Sequence, residues 1–242
     1  MKAITFDIDW APDWAIEMCA DLCRKHEVKA TFFVTHRSDI LEDLRKDALF
    51  ELGIHPNFLA GSTQGSDVRE VIDYCLNVVP EASAMRTHAL YQTSCLFKLI
   101  VNKYPAILAD VSLFLPLHPG LQPTKLYFNE NKKILRLPSF WEDDFFILDP
   151  NCRWQDFKSD KPGLKIYNSH PIHVALNTNT LEGYERLSFC CSPMPLYQLT
   201  RQDAFPFQNN KQGVQTFLKN LLRNNEKNDF FLISEIIKKG LE

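Results

Sequence analysis

Strand-like and helix-like segments alternate along this 242-residue chain, and the alternation constrains its fold more than any other feature. Short runs rich in β-branched and aromatic residues predict strands, and apolar residues at helical spacing predict helices between them. The predicted strands are Lys2–Phe6, Lys29–Thr35, Glu51–Ile54, Ala84–Arg86, Ile107–Leu115, Lys133–Leu137 and Leu164–Ser169. Such alternation produces parallel strands with helices outside them. We therefore expect an α/β fold, and favour a barrel over an open sheet.

The remaining segments complete this prediction. Helices are expected from Asp13 to about His26, over Asp39–Ala48, after a Ser66 cap as far as Val79, over Ser94–Tyr104, and through Val214–Leu222. Residues 148–162 are predicted to be an irregular stretch, and residues 178–210, which are rich in Pro and Asn, are predicted to be loops and an insertion. Phe230–Ile233 is predicted to be a last short strand before a charged tail. We find neither a linker nor a repeat, and expect residues 1–242 to form one domain.

Charge and cysteine usage exclude several classes of function. The chain carries 27 Lys and Arg against 30 Asp and Glu, for a net charge of −3, and it has no long basic cluster. Nucleic-acid binding is therefore not expected. The seven cysteines are scattered without a CxxC pair, which is typical of reduced thiols in a cytoplasmic protein. The first residues enter a predicted strand directly, and no apolar run is long enough to span a bilayer.

Two carboxylates end the first predicted strand. Asp7 and Asp9 are two residues apart, so in extended backbone they point to the same side. This position is the carboxyl end of the strand, where β/α folds place their chemistry. Two like charges this close need a cation or a shared proton between them, which favours a metal or catalytic site. The alternative is that the pair opens a loop and caps the next helix.

Polar residues also follow several other predicted strands. Because the carboxyl ends of parallel strands meet on one face, these side chains should converge there. A single histidine after a strand is usually structural, but a series of them on one rim favours a functional site. The members of this series are Asp7, Asp9, His55, Arg86, His88, Trp141, Asp143, Asp144 and His170.

These segments resemble a known family. Thr5-Phe6-Asp7-Ile8-Asp9 is similar to the TFDD motif of the polysaccharide deacetylases, the NodB-homology or carbohydrate esterase 4-like family, and Lys29–Val34 is similar to that family's KATFFV strand. The Gly-Ile-His-Pro-Asn-Phe sequence of residues 53–58 and the Arg-x-His element of residues 86–88 are closest to divergent members associated with surface-polysaccharide biosynthesis. The motifs occur in the family's order over nearly the whole chain.

The resemblance implies a distorted (β/α)7 barrel formed by a single NodB-like domain over residues 1–242, with a divalent metal, usually zinc. It implies that Asp7 is the general base and that Asp9 and His55 are metal ligands. Arg86 would stabilise the ionised base, and His170 would be the general acid, with His173 as the alternative. The implied reaction is removal of an N-acetyl or related acyl group from a saccharide, and the partner molecule would be an acylated saccharide or a sugar-containing intermediate.

One position departs from the family pattern. The second histidine of the His-x-x-x-His motif should lie four residues after His55, where this chain has Leu59. His88 is our candidate for the missing ligand, because it lies two residues after Arg86 and shares its side of an extended segment. One Asp and two His with open positions form a plausible catalytic zinc sphere. The alternative is that His88 only hydrogen-bonds in the rim and the protein binds sugar without cleaving it.

The substrate cleft is predicted from the remaining polar and aromatic residues. An exposed aromatic ring beside acidic groups suits stacking on a sugar. The alternative is that Trp141 fills the top of the barrel and the acids are solvated. The predicted substrate-binding residues are Asn57, Trp141, Asp143, Asp144 and His173.

Two other functions also fit parts of the pattern. A haloacid-dehalogenase-type phosphatase begins with a strand that ends Asp-x-Asp, and Asp143-Asp144 could imitate its late acidic pair. That family has Thr or Val where this chain has Ala11, and it leaves the histidines without a role. A catalytically decayed deacetylase-like saccharide-binding protein is the non-enzymatic alternative, and Leu59 is its main support.

Overall fold

A mostly parallel sheet of nine strands organises the chain. The computed structural model describes residues 1–149, 151–152, 154 and 162–241. The strands are β1 (Lys2–Asp7), β2 (Ala30–Val34), β3 (Phe50–Ile54), β4 (Ala84–Met85), β5 (Ala109–Asp110), β6 (Thr124–Asn129), β7 (Lys132–Arg136), β8 (Trp141–Glu142) and β9 (Lys165–Ser169). The helices are α1 (Asp13–Lys25), α2 (Ile40–Lys46), α3 (Val68–Val78), α4 (Ser94–Lys103), α5 (Asp143–Ile147), α6 (Pro171–Leu176), α7 (Leu181–Cys191), α8 (Arg201–Ala204), α9 (Val214–Arg223) and α10 (Ile233–Leu241).

Burial explains why the central strands form as they do. β2 is buried along its whole length, and β1 is buried from Ala3 to Asp7. Strands covered on both faces need near-continuous apolar sequence, which Ala-Ile-Thr-Phe and Ala-Thr-Phe-Phe-Val supply. Helices pack outside them through the predicted apolar stripes; in α1 this stripe includes Ile16, Cys19 and Cys23.

Strand order brings the carboxyl ends of the parallel strands to one edge. The order across the sheet is β6-β7-β5-β4-β3-β2-β1-β9-β8, and only β6 and β7 pair antiparallel. β1 lies between β2 and β9, with Phe6 opposite Phe32 on one side and Ser169 on the other. The residues that follow β1 are therefore at the centre of the edge that carries the candidate site.

The sheet curls so that its late strands approach its middle ones. The extended stretch between β7 and β8 bonds on one side to the continuation of β5, through Ser139 N to Leu113 O (2.7 Å) and Leu115 N to Ser139 O (3.0 Å). On its other side, Phe140 N donates to Ile166 O of β9 (2.9 Å). The result is a curled, mostly parallel half-barrel, which confirms the expected α/β fold of the distorted (β/α)7 type.

The predicted loop over residues 178–210 is wrong, because it contains α7 and α8. These helices pack with α6 as a second apolar cluster beside the barrel. The apolar residues of this region, among them Leu187, Leu199 and Ala204, are separated by polar residues and prolines. The helical periodicity is therefore weak in sequence and is supported by tertiary packing.

Several other boundaries also differ from the predictions. Regular strand pairing at the fifth strand covers only Ala109–Asp110, and a β6–β7 hairpin follows that was not predicted. The final segment is the helix α10, because Ile233, Ile236 and Ile237 are buried at helical spacing; before it, Phe230 makes only an isolated bridge to Lys2. Asp67, and not Ser66, caps α3, accepting from two backbone N–H groups. Of the predicted irregular stretch 148–162, residues 150, 153 and 155–161 lie outside the described residues.

Candidate metal centre and active site

The predicted acids and histidines meet at the carboxyl edge of the sheet. Asp7 ends β1, and His55, Arg86 and His170 directly follow β3, β4 and β9. Asp9 lies at the centre of the group. Residues from strands far apart in sequence converge because parallel strands all present this end to the same face.

Asp9 is held by an unusual turn. The backbone φ is +36° at Asp9 and +54° at Trp10, although neither residue is glycine. Thr35 stabilises the turn by accepting a bond from the Trp10 backbone N–H at 3.0 Å. Non-glycine residues with positive φ cost free energy and cluster at functional sites, where the surrounding structure enforces them. The strain therefore coincides with the residue predicted to bind metal.

Three donor side chains have the arrangement of a metal site. Asp9 Oδ1 lies 3.0 Å from His55 Nε2 and 3.2 Å from His88 Nδ1, and one donor atom from each residue falls within 4.8 Å of the others. Ligand atoms that share one ion at about 2.0–2.2 Å are separated by about 3 Å, and one carboxylate with two imidazoles suits zinc. His88 thus joins the group in place of the missing motif histidine. Leu59 is 44 % exposed, in a loop beyond β3.

Electrostatics agree with a cation-binding group. Burial of Asp9 favours its neutral form, but the charge of His55 and hydrogen bonds from His170, His55 and His88 outweigh burial and hold the pKa of Asp9 well below its usual range. The hydrogen bond to Asp9 raises the pKa of His88. A divalent cation bound at Asp9 would take the place of the proton that the raised pKa favours on His88.

Asp7 lies behind this group, and the contacts that hold its carboxylate involve one of its two oxygens. Its Oδ2 accepts from Asn168 Nδ2 at 2.8 Å and faces Arg86 Nη1 at 3.5 Å. Among the described residues, its buried Oδ1 has no hydrogen-bond partner, and neither does the buried His55 Nδ1, which lies 3.8 Å from it. Buried polar atoms rarely lack partners, so Asp7 Oδ1 has the position of an acceptor for a water or ligand.

Arg86 is fully buried and tightly fixed. It donates to the carbonyl oxygen of Val111 and to the hydroxyls of Thr5 and Ser139, at 3.1, 3.3 and 2.5 Å. Its guanidinium also lies 5.3 Å from the centre of the Phe33 ring. A buried cation needs partners of this kind. Arg86 is therefore a fixed positive charge beside Asp7.

His170 forms the other flank of the group. Asp143 accepts from its Nδ1 and from its backbone N–H, both at 2.7 Å, while His170 Nε2 points to Asp9 Oδ2 at 3.4 Å. Burial opposes the charged imidazole, but Asp144 and Asp143 outweigh it and hold the pKa of His170 well above its usual range. His173 bonds Thr178 through Nδ1 and approaches Asp144 at 3.4 Å. Of the two histidines, His170 is the one that contacts the ligand group.

Two polar residues inside the late strands complete the site and were not predicted. Asn168 lies beside Thr5 on β1, accepts from its hydroxyl at 2.8 Å, and holds Asp7. Glu142 is paired with Asn168 in register, and burial raises its pKa to about 7. The alternation of inward and outward residues in β8 and β9 could have suggested them, but short strands carry little of this signal.

Of the predicted substrate-binding residues, the structure places some at a cavity beside the site and others away from it. Trp141 is 0 % exposed and stacks on Phe217 of α9 at 3.9 Å, on the face of β8 away from the site, so its interpretation as an exposed stacking residue is wrong. Asp143 is also buried, and its oxygens are used by His170. Asn57 accepts from Leu59 N within its loop and does not line the cavity. The cavity is bordered by Asp144 and His173.

A cavity of about 540 Å³ opens directly beside the group. Asp9, His88 and His170 form part of its wall. This volume lies within the range of small-molecule pockets. Asp9, His88 and His170 are thus accessible to a substrate.

Comparisons with known proteins show the family of the chain. The family model described as "WbmS-like: Polysaccharide deacetylase" matches residues 4–188. The chain belongs to the WbmS-like polysaccharide deacetylase family. The crystal structure of WbmS from Bordetella bronchiseptica, which was assigned as a polysaccharide deacetylase involved in O-antigen biosynthesis, is 31 % identical, with a TM-score of 0.79 over 93 % of this chain and 90 % of that one. No curated protein matches the chain.

A second solved structure is much less similar. It is a family 4 acetyl xylan esterase from Clostridium thermocellum in complex with a cobalt ion. It is 14 % identical, with a TM-score of 0.47 over 98 % of this chain and 90 % of that one, and is too distant to inform the site. Within the part of the chain that the structure describes, no helix has the length and apolarity to cross a membrane.

Proposed function

We propose that this protein is a zinc-dependent hydrolase that removes an N-acetyl or related acyl group from a saccharide in the biosynthesis of a surface polysaccharide. The observation that carries the proposal is the convergence of donor atoms from Asp9, His55 and His88. On one flank lies an Asp7 oxygen that has no hydrogen-bond partner among the described residues, and on the other lies the His170–Asp143 pair. Membership of the WbmS-like family supports the saccharide class of substrate.

Asp9, His55 and His88 would hold the divalent ion. They offer one oxygen and two nitrogens whose mutual distances suit a single ion, and zinc is the ion that this donor set favours. A divalent ion bound there polarises an amide carbonyl and lowers the pKa of water. The ring of Trp10 packs edge-on against His88 at 5.5 Å, which fixes the orientation of that imidazole.

Asp7 would act as the general base. Its Oδ2 is occupied by Asn168 and faces Arg86, which leaves Oδ1 to take a proton from the attacking water. Arg86 keeps a fixed positive charge beside the carboxylate, and Asn168 fixes its rotation. Both act on Asp7 and would not contact substrate, so we assign them positioning roles.

His170 would act as the general acid. Its Nδ1 donates to Asp143, and in the imidazolium form Nε2 carries the second proton, which would be delivered to the leaving amine. The raised pKa of His170 keeps this proton in place near neutral pH. Asp143 is thus a positioning residue. His173 lies behind Asp144 and is better suited to support the rim than to donate to substrate.

A catalytically decayed saccharide-binding protein is the second candidate. Leu59 in place of the motif histidine favours it, because a ligand of the family pattern is lost. His88 answers this objection by supplying a donor atom 3.2 Å from Asp9. The phosphatase alternative has no support once the chain belongs to a deacetylase family. We also propose a cytoplasmic location, which the scattered cysteines favour.

Metal analysis and acetate release from N-acetylated amino-sugar oligomers test the proposal. We expect about one zinc ion per chain and turnover that Asp7→Asn reduces by about 10²–10⁴-fold while zinc remains bound. Asp149→Asn, an exposed acid after α5, is the matched control and should keep full activity. Saccharide binding without turnover in the zinc-loaded protein would favour the decayed binder instead.

A further inference from the structure

The cavity beside the candidate site has two unlike walls. One carries the polar site residues Asp9, His88 and His170 together with the ring of Trp10, which packs on His88. We call the other the apolar wall, formed by Leu148, Ile172, Leu181, Tyr184 and Leu196. A pocket with apolar residues on one side and catalytic groups on the other suits a ligand that has an apolar part and a polar, reacting part.

The apolar wall is a built part of the fold. Ile172 belongs to the second apolar cluster, with Leu187 and Leu199, and Tyr184 and Leu196 pack against that cluster. The Tyr184 ring meets the His173 ring edge-on at 5.0 Å, which joins the wall to the acid side of the site. The wall is therefore positioned by its own packing and lies next to His170 and His173.

The chemistry of the cavity restricts what can occupy its apolar half. Apart from the Tyr184 hydroxyl, the apolar wall presents hydrocarbon, so the hydroxyls of a sugar would lose their hydrogen bonds to water there. Among the described residues that line the cavity, none is Lys or Arg, and the carboxylates of Asp9 and Asp144 are present, so phosphate groups are also disfavoured. A hydrocarbon chain has neither problem.

We infer that this cavity is an acyl pocket, which takes the hydrocarbon part of an N-acyl group longer than acetyl. The inference rests on the proposed function. An amide carbon held beside Asp9 and His170 has one further substituent, the acyl chain, and the sugar of a polysaccharide must continue into solvent. The cavity measures about 540 Å³ with its polar side included, whereas a site for one water needs about 10–15 Å³ on the same kind of measure, so the apolar half has room for more than a methyl group. Leu148, 67 % exposed, would be covered by a longer chain.

Chain-length dependence tests the inference directly. The probes are glucosamine oligomers that carry N-acetyl, N-butyryl or N-hexanoyl groups, and the readout is kcat/KM of the zinc-loaded protein. Each methylene buried in the apolar half should raise kcat/KM by about fourfold, and N-butyryl should exceed N-acetyl by about 15-fold. If N-acetyl is the best substrate and activity falls with chain length, the acyl pocket is wrong while the proposed function stands.

Absence of turnover with every probe would count against the proposed function. The acyl pocket would then be tested by measuring how tightly the probes bind. Calorimetry with the same probes and the Asp7→Asn variant provides this measurement. Affinity that rises with chain length supports the acyl pocket. Affinity that is flat or falls with chain length overturns it.

Cavity-filling variants provide the second test. Leu181→Trp and Leu196→Phe add volume at half-buried positions of the apolar wall, and each should bring the butyryl-to-acetyl ratio of kcat/KM close to one. Leu126→Trp, at a half-buried leucine of β6 outside the cavity, is the matched control and should keep the wild-type ratio. Circular dichroism establishes whether each variant folds. If Leu181→Trp does not fold, the result for Leu196→Phe decides the test. An unchanged ratio in a folded wall variant contradicts the inference.

Discussion

Glu142 allows the electrostatics beneath the site to be tested by one substitution. Its side chain is 7 % exposed and points away from the face on which Trp141 packs. Oε1 has no hydrogen-bond partner among the described residues. Burial raises the pKa of Glu142 to about 7, against an ordinary value of 4.5, although the charge of Arg86 opposes the rise.

The sign and size of the effect follow from this difference. The folded chain holds the Glu142 proton more tightly than the unfolded chain, so the resulting stability is complete below pH 4.5 and is lost as the pH rises to about 7. At about 1.4 kcal/mol for each pKa unit, the loss amounts to about 3 kcal/mol. Glu142→Gln keeps the shape of the protonated acid and cannot ionise. The variant should therefore differ from the wild type by less than about 1 kcal/mol near pH 5 and exceed its free energy of unfolding by about 3 kcal/mol at pH 8.

Urea unfolding of the metal-free protein at pH 5, 6.5 and 8, with a chelator present, measures this difference. The control is Glu130→Gln in the exposed turn between β6 and β7, which should leave the pH dependence unchanged. A Glu142→Gln variant that is less stable than the wild type at pH 8 would refute the reasoning. It would mean that ionised Glu142 stabilises the fold, most directly by pairing with Arg86.

Three further predictions concern the metal group and the packing behind it. His88→Ala should weaken zinc binding by at least about tenfold in calorimetry. The control is His118→Ala, at an exposed histidine outside the group, which should leave zinc affinity unchanged. Equal affinities of the two variants would remove His88 from the ligand set. Zinc affinity of the wild type should fall as the pH drops through the raised pKa of His88, because the protonated imidazole cannot bind metal, and a pH-independent affinity would contradict this. Trp141→Ala should lower the free energy of unfolding by about 3–5 kcal/mol because it removes the ring stacked on Phe217, and a change below 1 kcal/mol would place that ring at the surface.

The residues of the candidate site could largely be found from sequence because they follow predicted strands. Asp7, Asp9, His55 and His170 each lie at or just after such a strand, and parallel strands bring these positions together. His88 required one more step, since it lies beyond a two-residue strand and completes the group only because Asp9 faces it at 3.2 Å.

The direction of side chains in the late strands could not be found in this way. Trp141 and Glu142 form a two-residue strand, in which a shift of one residue exchanges inside and outside. The structure turns Trp141 outward onto α9 and Glu142 inward. Asp143, which was predicted to meet substrate, begins α5 and is buried against His170.

The sequence alone determined the alternating α/β architecture, the apolar central strands and the edge at which acids and histidines collect, because these depend on local periodicity and on the common direction of parallel strands. Tertiary structure decided how the chain between β7 and β8 pairs with both the β5 and β9 sides, and that Leu181–Cys191 is a helix that supports an apolar wall. It also decided that Asn168 holds Asp7. These features arise from contacts between residues far apart in the chain, and a local pattern carries no record of such contacts.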